Sequence, residues 1–235
     1  MLEVKNLYVN YEKRNILKDI SFSLNKGETL SIIGPSGCGK STLLLSLANL
    51  KEIDGGKINN TFKDQGLILQ NNSLFPWKTI RENIALGLIS NKKSKQYIDE
   101  SIEKISNILN ISHILDRYPH LVSGGELQRA SVARSLVLNN ELILMDEPSS
   151  ALDSINKEVF QNVLCNLQKN YNLSYIIVTH NIEEAVILGK KIAIMINGEI
   201  KSIIQNQYYG QEDIRNEYKF FDKCNEIRNI LDSWS

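Results

Sequence analysis

A nine-residue stretch with the sequence GPSGCGKST contains the residue types that bind phosphate groups. Its glycines allow the backbone to curl so that successive N–H groups point at the oxygens of an anion. The lysine brings a compact positive charge to the outer phosphates, and the serine after it offers a hydroxyl to Mg²⁺. We therefore expect a phosphate-binding loop here. Its members are Gly34, Pro35, Ser36, Gly37, Cys38, Gly39, Lys40, Ser41 and Thr42.

The elements on either side of this loop must hold it in place. Thr29 to Ile33 reads TLSII, a short apolar run that predicts a buried strand. Ser41 to Leu50 reads STLLLSLANL and predicts a helix whose positive amino end faces the bound anion. A glycine-rich turn that binds nothing would not need the lysine, the hydroxyl and both flanking elements. The order strand, loop, helix therefore favours phosphate binding.

Two adjacent carboxylates follow a second apolar run. Glu141 to Pro148 reads ELILMDEP, in which four apolar residues predict another buried strand. Ligands of α/β folds bind beyond the carboxyl ends of such strands. There Asp146 can hold Mg²⁺ or its water, and Glu147 can take a proton from an attacking water. The alternative is that the two acids only cap the next helix, and the phosphate loop upstream argues against it.

Two more polar side chains come at the ends of apolar runs. The run YIIVT is followed by His180, and the run GLIL is followed by Gln70. A single histidine is usually structural. At the carboxyl end of a strand in this kind of fold, His180 is better placed to meet a terminal phosphate.

The sequence Ser123-Gly124-Gly125-Glu126 opens a further predicted helix. A serine followed three residues later by a glutamate is an N-cap signature. The two glycines also let a ligand approach the backbone at the positive end of the helix. The local sequence fits a helix cap and a second anion site equally well.

One aromatic residue, Tyr11, lies between the first two predicted strands and upstream of the phosphate loop. An aromatic ring there can stack on a nucleotide base, and such contacts contribute about 1–3 kcal/mol. Considered alone, the position favours a surface turn residue. Both interpretations stay open at this point.

Composition limits the classes of function. The chain has 235 residues, 42% of them hydrophobic, so it can bury a substantial core. Its 27 basic and 27 acidic residues give no overall positive field, and we expect no nucleic-acid partner. No run reaches the roughly 18 apolar residues that span a bilayer. The start MLEVKNLYVN lacks the pattern of a secretion signal, so we expect a cytosolic protein with at most a peripheral membrane role.

The three cysteines, Cys38, Cys165 and Cys224, are far apart in the sequence. Their spacing matches neither a zinc site nor a disulfide framework. Cys38 lies inside the phosphate loop, where we expect its thiol to be open to alkylation.

The combined motifs resemble the nucleotide-binding subunits of ABC transporters. The phosphate loop, Gln70, Ser123–Glu126, the runs LILMDE and SALD, and His180 occur in that family's order and with its separations. The similarity covers about residues 2–203. The Ser-Gly-Gly-Glu signature distinguishes this family from other proteins with the same kind of loop.

The resemblance implies an α/β fold built on a P-loop NTPase core, a RecA-like mixed sheet flanked by helices. It also implies an N-terminal antiparallel β subdomain and an inserted α-helical subdomain at about residues 79–139. The ABC ATP-binding domain would span residues 2–203. Residues 204–235 would form a short C-terminal extension, not a separate domain.

Roles within one subunit follow from the same resemblance. The loop residues bind ATP, and Tyr11 stacks on adenine. Ser41 and Gln70 are expected to ligate Mg²⁺, with Asp146 holding the ion through water. The expected catalytic residues are Glu147 as general base, His180 as γ-phosphate sensor and Gln70.

Roles between subunits are implied as well. A second copy of the chain would complete each site, so that two subunits enclose two ATP molecules head to tail. Asp153 would help to link the two sites. The residues expected to contact the ATP of the opposite subunit are Ser123, Gly124, Gly125 and Glu126. Where Glu126 stands the family most often has Gln, and the added negative charge near the opposite phosphate is expected at most to weaken closure.

The segment SLFPWKTIRENI, which contains Pro76 and Trp77, gives the only indication of cargo. It resembles importers of nitrate, aliphatic sulfonates, taurine and thiamine precursors, whereas sugar and polyamine importers tend to carry histidine at the position of Trp77. We therefore expect an importer ATPase at the cytoplasmic face of the membrane, with permease subunits as partners and a solute-binding protein as an indirect one. The alternatives are a soluble ABC ATPase of DNA repair or the ribosome, a small-molecule kinase, and a non-catalytic subunit.

Overall fold

The computed structural model of the chain describes residues 1–11, 14–70, 74–211 and 214–234. Strands and helices alternate through most of this length, as in an α/β protein. The strands are β1 (Leu2–Tyr11), β2 (Arg14–Leu24), β3 (Thr29–Ile33), β4 (Gly55–Asn60), β5 (Gln65–Ile68), β6 (Leu142–Asp146), β7 (Ser174–Thr179), β8 (Lys191–Ile196) and β9 (Glu199–Gln205). The helices are α1 (Lys40–Leu47), α2 (Ile80–Ser90), α3 (Lys95–Ile108), α4 (Gly124–Leu136), α5 (Ser154–Tyr171), α6 (Ile182–Leu188) and α7 (Tyr218–Asp232).

The central sheet has the strand order β5-β6-β7-β3-β8-β9. The strands from β5 to β8 in this order run parallel, and β9 pairs antiparallel to β8. Every residue of β3 is buried because both faces of the sheet are covered, which explains its unbroken apolar run. The carboxyl ends of β5, β6, β7 and β3 therefore lie along one edge. The segments that follow these four strands meet at that edge.

Each face of the sheet has its own apolar core. Side chains alternate between the two faces of a strand, so Ile143 and Met145 of β6 join one cluster while Leu142 and Leu144 join the other. The first cluster includes residues of α2 to α7. The second is formed with β1, β2 and α1. The sheet is thus packed between helices on one side and an antiparallel β layer with α1 on the other.

The antiparallel layer has the strand order β2-β1-β4. The alternating sequence before the phosphate loop predicts its first two strands, the first over residues 2–9, and in the structure β1 continues to Tyr11. The third strand, β4, comes from the far side of the loop and α1. This layer and the central sheet together confirm the predicted α/β fold with an N-terminal antiparallel β subdomain.

Three helices, α2 to α4, are inserted between β5 and β6. Thr79 and Glu82 form a capping box at the start of α2, and the Ser94 side chain caps α3. The break between these two helices begins at Asn91, the C-cap of α2, and Lys92 adopts a left-handed φ of 53°. In the described parts of the chain we find no helix with the length and apolar character needed to cross a bilayer.

The segment after β9 packs on the helical side of the central sheet. Asn206 Nδ2 donates to the carbonyl oxygens of Val186 at 2.6 Å and of Gly189 at 2.7 Å. Arg215 donates to Gln161 Oε1 on α5 at 2.6 Å. Residues 212, 213 and 235 of this segment lie outside the described part. The α7 side chains buried in the same core are Phe220, Cys224 and Ile227.

Candidate nucleotide-binding and hydrolysis site

Most of the predicted site residues meet at one edge of the central sheet. Gly34 follows β3, Asp146 ends β6 and Glu147 comes next, while His180 follows β7 and Gln70 lies two residues after β5. These four strands are neighbours and parallel. Strand pairing therefore brings together side chains that are far apart in the sequence, where α/β folds bind their ligands.

The phosphate loop requires glycine at two positions for different reasons. A Cβ added to Gly34 would lie 2.0 Å from the carbonyl oxygen of Met195 in β8, which is held by the sheet. Gly39 is the N-cap of α1 and has a φ of 107°, a conformation that side chains rarely adopt. The loop is thus pressed against β8 and turns sharply into the helix. Its exposed residues include Pro35, Ser36 and Gly37.

The Lys40 ammonium is folded over the loop. Its Nζ donates to the carbonyl oxygen of Gly34 at 2.8 Å and to that of Pro35 at 2.9 Å, and the residue is only 6% exposed. An ammonium has three N–H groups, so one donor remains after these two bonds. The side chain is therefore already held above the concave side of the loop.

The cysteine in the loop is protected, contrary to expectation. Cys38 is 6% exposed, and burial raises the pKa of its thiol, with a smaller opposing effect from Lys40. Alkylation needs an accessible thiolate. The prediction that Cys38 is open to alkylation is wrong for the structure as it stands, because Cys38 packs into the core beneath the β layer.

Asp146 lies beside the loop at the end of β6. Burial raises the pKa of its carboxyl, and the charge of Glu147 acts in the same direction. A hydrogen bond from Ser41 and the nearby Lys40 lower it in part. The Ser41 hydroxyl and the Asp146 carboxylate are thus joined next to the lysine, as oxygen ligands of one cation would be.

Glu147 is held between the two other polar side chains of this edge. His180 Nδ1 lies 3.0 Å from Glu147 Oε1, and Gln70 Nε2 donates to Glu147 Oε2 at 3.3 Å. The Glu147 side chain is 18% exposed and that of His180 is 56% exposed. A carboxylate oriented in this way is accessible at one side and can accept a proton from a water molecule.

The backbone at Glu147 is strained. Its φ is 43°, in the left-handed region, where a non-glycine residue costs on the order of 1–3 kcal/mol. The Glu147 N–H donates to the carbonyl oxygen of Val178 at 2.9 Å, and Ser150 Oγ donates to the Glu147 carbonyl oxygen at 2.9 Å. These bonds stabilise the turn that points the carboxylate across the end of β7.

The segment Ser123–Glu126 forms a complete capping box. Ser123 is the N-cap of α4, and its side chain accepts from the Glu126 N–H. Glu126 Oε2 in turn accepts from both the N–H and the hydroxyl of Ser123, each at 2.8 Å. The helix-cap interpretation is therefore confirmed. The anion-site interpretation remains a prediction.

Glu126 also forms an ion pair that the sequence did not indicate. His113, in a short 3₁₀ turn before α4, places Nε2 2.8 Å from Glu126 Oε1. The hydrogen bond from the Ser123 backbone, with further contributions from the Ser123 hydroxyl and His113, lowers the pKa of Glu126 to about 2. The Glu126 carboxylate thus has bonding partners within its own chain.

We expect Glu126 to make the free energy of unfolding depend on pH in the acid range. Its pKa is lower in the folded state, so the stabilisation is present above about pH 4.3 and is lost as pH falls toward 2. Glu126→Gln keeps the capping geometry without the charge. Urea unfolding should therefore find this variant less stable by about 1 kcal/mol at pH 7, with the difference shrinking below pH 4.

The control is Asp222→Asn, since Asp222 is an exposed carboxylate on α7. The free energy of unfolding of Asp222→Asn should stay close to that of the unmodified chain at every pH. If Glu126→Gln changes the free energy of unfolding by the same amount at pH 7 and at pH 3, the carboxylate charge adds nothing to the cap.

Asp153 and the signature lie side by side. Asp153 is the N-cap of α5, and its two carboxylate oxygens accept from the backbone and the side chain of Asn156. These bonds lower the pKa of Asp153. A Cβ added to Gly125 would lie 2.6 Å from Asn156 Oδ1, and one added to Gly124 would lie 3.7 Å from Leu152. The start of α4 is therefore packed against the start of α5.

Tyr11 is the last residue of β1 and is 45% exposed. The Lys51 ammonium lies 3.9 Å from the centroid of its ring, a cation–π contact. The next residues, 12 and 13, lie outside the described part of the chain. One face of the ring is thus in contact with a cation, and the ring remains accessible.

Comparison with known proteins agrees with this geometry. The model of the family described as ABC transporter matches residues 17–150, more than half of the chain. A spermidine/putrescine import ATP-binding protein from Chromobacterium violaceum is 36% identical over 242 residues, covering 98% of this chain and 67% of that protein. An aliphatic sulfonates import ATP-binding protein from Bacillus thuringiensis subsp. konkukian is 40% identical over 200 residues, covering 81% of this chain and 78% of that protein.

A solved structure shares the fold over most of the length. The ATP-binding cassette MJ0796, determined as a dimer in a post-hydrolysis state bound to ADP and Pi, has a TM-score of 0.80 and 27% identity. The alignment covers 88% of this chain and 99% of that chain. The resemblance seen in the sequence motifs is confirmed by both kinds of comparison. This chain belongs to the ABC transporter family, in which it is an ATP-binding subunit with ATPase activity.

Proposed function

We propose that ATP is hydrolysed at the carboxyl edge of the central sheet, with Glu147 as the general base. The observation that carries this proposal is the position of the Glu147 carboxylate, which contacts Gln70 and His180 at the sheet edge that also carries the phosphate loop. Only β7 lies between the strand before Glu147 and the strand before the loop. A water between Glu147 and the terminal phosphate gives its proton to a Glu147 oxygen as it attacks. His180 holds the other Glu147 oxygen and contacts the γ-phosphate.

The loop and Tyr11 bind the nucleotide. The loop N–H groups and the amino end of α1 face the phosphates, and Lys40 offers its remaining donor to them. The exposed ring of Tyr11 stacks on adenine with one face, while the Lys51 ammonium contacts the other face. In this arrangement Lys51 keeps the aromatic side chain in one orientation before nucleotide arrives.

The side chains beside the loop fit a magnesium ion. Ser41 and Asp146 are hydrogen-bonded oxygen ligands, and Gln70 donates its N–H to Glu147 and so keeps its amide oxygen as an acceptor. Within the described residues no group of three or more His, Cys, Asp or Glu side chains could hold a metal alone. Such a site suits Mg²⁺, which takes few protein ligands and completes its shell with phosphate and water. When bound, the ion neutralises phosphate charge.

A second copy of the chain completes the site. Ser123, Gly124 and Asp153 are exposed at the adjoining starts of α4 and α5. The amino end of α4 presents backbone N–H groups to an anion, which here is the γ-phosphate bound by the other copy. The dimeric arrangement of the MJ0796 cassette supports this proposal. ATP then joins the two copies, and hydrolysis releases them.

The exposed aromatic pair before α2 is the proposed contact with the membrane partner. Phe75 is 41% exposed and Trp77 is 69% exposed, with their ring centroids 5.2 Å apart. Residues 71–73 of the same segment lie outside the described part of the chain. Exposed aromatic side chains of this kind mark interaction sites. We place integral permease subunits here, with the chain at the cytoplasmic face and a solute-binding protein as an indirect partner.

For the cargo we propose a solute of the nitrate, sulfonate, taurine or thiamine-precursor type. The Pro76-Trp77 sequence supports this class, and one of the relatives above is an aliphatic sulfonates import ATP-binding protein. Another is a spermidine/putrescine import protein, so the relatives differ in cargo. We also propose that residues 2–203 are the ABC ATP-binding domain, with residues 204–235 as an extension packed on its helical side.

Co-purification tests the coupling to a membrane partner. The tagged chain should retain an integral membrane protein, identified by mass spectrometry, and the variant Trp77→Ala should lose most of it. The control is Trp234→Ala, because Trp234 is the only other tryptophan, is 51% exposed and lies in the extension. Recovery of the unmodified chain without any membrane protein would instead favour a soluble ABC ATPase. Equal loss in both variants would refute Trp77 as the specific contact.

A further inference from the structure

The carboxylate of Glu184 joins the two segments that carry Glu147 and His180. Glu184 Oε2 accepts from the hydroxyl of Thr179 at 2.5 Å, and Thr179 immediately precedes His180. Glu184 Oε1 accepts from the hydroxyl of Ser149, two residues after Glu147. A single side chain of α6 therefore connects the turn beyond β6 with the end of β7.

The Glu184 carboxylate is buried, and the donors found for it among the described residues are two hydroxyls. Glu184 is 2% exposed, Thr179 is 1% exposed and Ser149 is fully buried. The ion pairs found in the described parts of the chain do not include Glu184. Burying a carboxylate without a cation is costly, so its hydrogen bonds must compensate for the loss of water.

Capping of α6 does not account for these contacts. The N-cap is Asn181, whose side-chain oxygen accepts from the Glu184 N–H at 2.8 Å. The cap uses the Glu184 backbone, and its carboxylate is turned away from its own helix toward β7 and the segment after β6. Thr179 Oγ1 also accepts from the Asn181 N–H at 3.0 Å, which extends the network to the start of α6.

We propose that Glu184 is a positioning residue for ATP hydrolysis. By holding Ser149 and Thr179 at one distance, it fixes the spacing of Glu147 and His180, whose side chains meet at 3.0 Å. It also keeps the strained turn at Glu147 from relaxing, since Ser149 lies directly beyond that turn. This inference rests on the proposed roles of Glu147 and His180. Glu184 itself touches neither of them in any hydrogen bond found among the described residues.

The test compares Glu184→Gln and Ser149→Ala with the unmodified chain. Glutamine has the size of glutamate, but one of its two terminal groups is a donor and cannot accept from a hydroxyl. We expect kcat to fall roughly tenfold or more, because small displacements of reacting groups have large effects, while the ATP dissociation constant stays within about twofold. Because Ser149 and Glu184 are bonded to each other, the double variant should be slower than Glu184→Gln by less than the full effect of Ser149→Ala alone.

The control is Glu183→Gln, which removes an exposed carboxylate from the same turn of α6 and should leave kcat unchanged. A second readout separates positioning from general stability. The chain has three histidines, so ring NMR signals can be assigned. In Glu184→Gln the His180 signal should shift while those of His113 and His120 do not.

Three outcomes would overturn the inference. They are a folded Glu184→Gln variant with kcat within about twofold of the unmodified chain, a loss that appears only as weaker ATP binding, and equal shifts of all three histidine signals. Absence of ATP hydrolysis by the unmodified chain would count against the proposed site, not against Glu184. If Glu147→Gln is inactive and Glu184→Gln has a normal kcat, the proposed site stands and only the positioning role of Glu184 is refuted.

Discussion

Glu147→Gln should lower the kcat of ATP hydrolysis by about 10²–10⁴-fold, the usual contribution of a general base. Glutamine can still accept one hydrogen bond from Gln70 or His180, so the local arrangement is largely kept. It cannot take a proton from water at neutral pH. The measurement is single-turnover hydrolysis with saturating ATP, together with ATP affinity by titration calorimetry, which should be unchanged.

The same variant tests the ATP-bridged dimer. Because hydrolysis is blocked, Glu147→Gln with ATP and Mg²⁺ should accumulate as a dimer in light scattering, while the unmodified chain dissociates after turnover. The control Glu141→Gln removes a carboxylate at the opposite end of β6 and should hydrolyse ATP normally. Unchanged hydrolysis by Glu147→Gln would rule out the assigned base, and a strictly monomeric variant would rule out the shared site.

Lys40→Ala should weaken ATP binding by roughly 10- to 100-fold. A charge-assisted hydrogen bond to phosphate contributes about 1.5–3 kcal/mol, and the ammonium is already positioned over the loop before nucleotide binds. Removing it also frees the carbonyl oxygens of Gly34 and Pro35, so the loop loses two of its own bonds. Titration calorimetry with a non-hydrolysable ATP analogue gives the affinity directly.

The control for Lys40 is Lys57→Ala, an exposed lysine on β4 with no ion pair among the described residues. Its ATP affinity should match that of the unmodified chain. Thermal unfolding without nucleotide checks that both variants are folded. If folded Lys40→Ala bound the analogue as tightly as the unmodified chain, phosphate binding by this lysine would be excluded.

Local sequence was sufficient for the parts of the fold that depend on neighbouring residues. The apolar run of β3 predicts a buried strand, and the N-cap signature at Ser123 predicts where a helix begins. These features follow from periodicity and from side chains that bond to the backbone three residues away.

The first helix is the main boundary error: it was expected to reach Leu50, but it ends at Leu47, and Asn49 takes a left-handed φ of 58°.

The motif order also indicated which side chains would share a site. Gly34, Asp146, Glu147, His180 and Gln70 each follow an apolar run, and parallel strands bring their carboxyl ends to one edge. The sequence did not give the strand order. It therefore gave no distance for the contact of Gln70 with Glu147, which lie 77 positions apart.

The amino-acid sequence by itself determined the elements, the phosphate loop and the residue types of the site, because these depend on local periodicity, capping and backbone freedom. Only the tertiary structure showed that His113 pairs with Glu126 and that Glu184 joins Ser149 to Thr179. The cap of α6 by Asn181 uses only the Glu184 backbone, and this local bond does not set the direction of the Glu184 carboxylate. Such contacts form only when separate elements pack together, so the local sequence around each residue does not identify its partner.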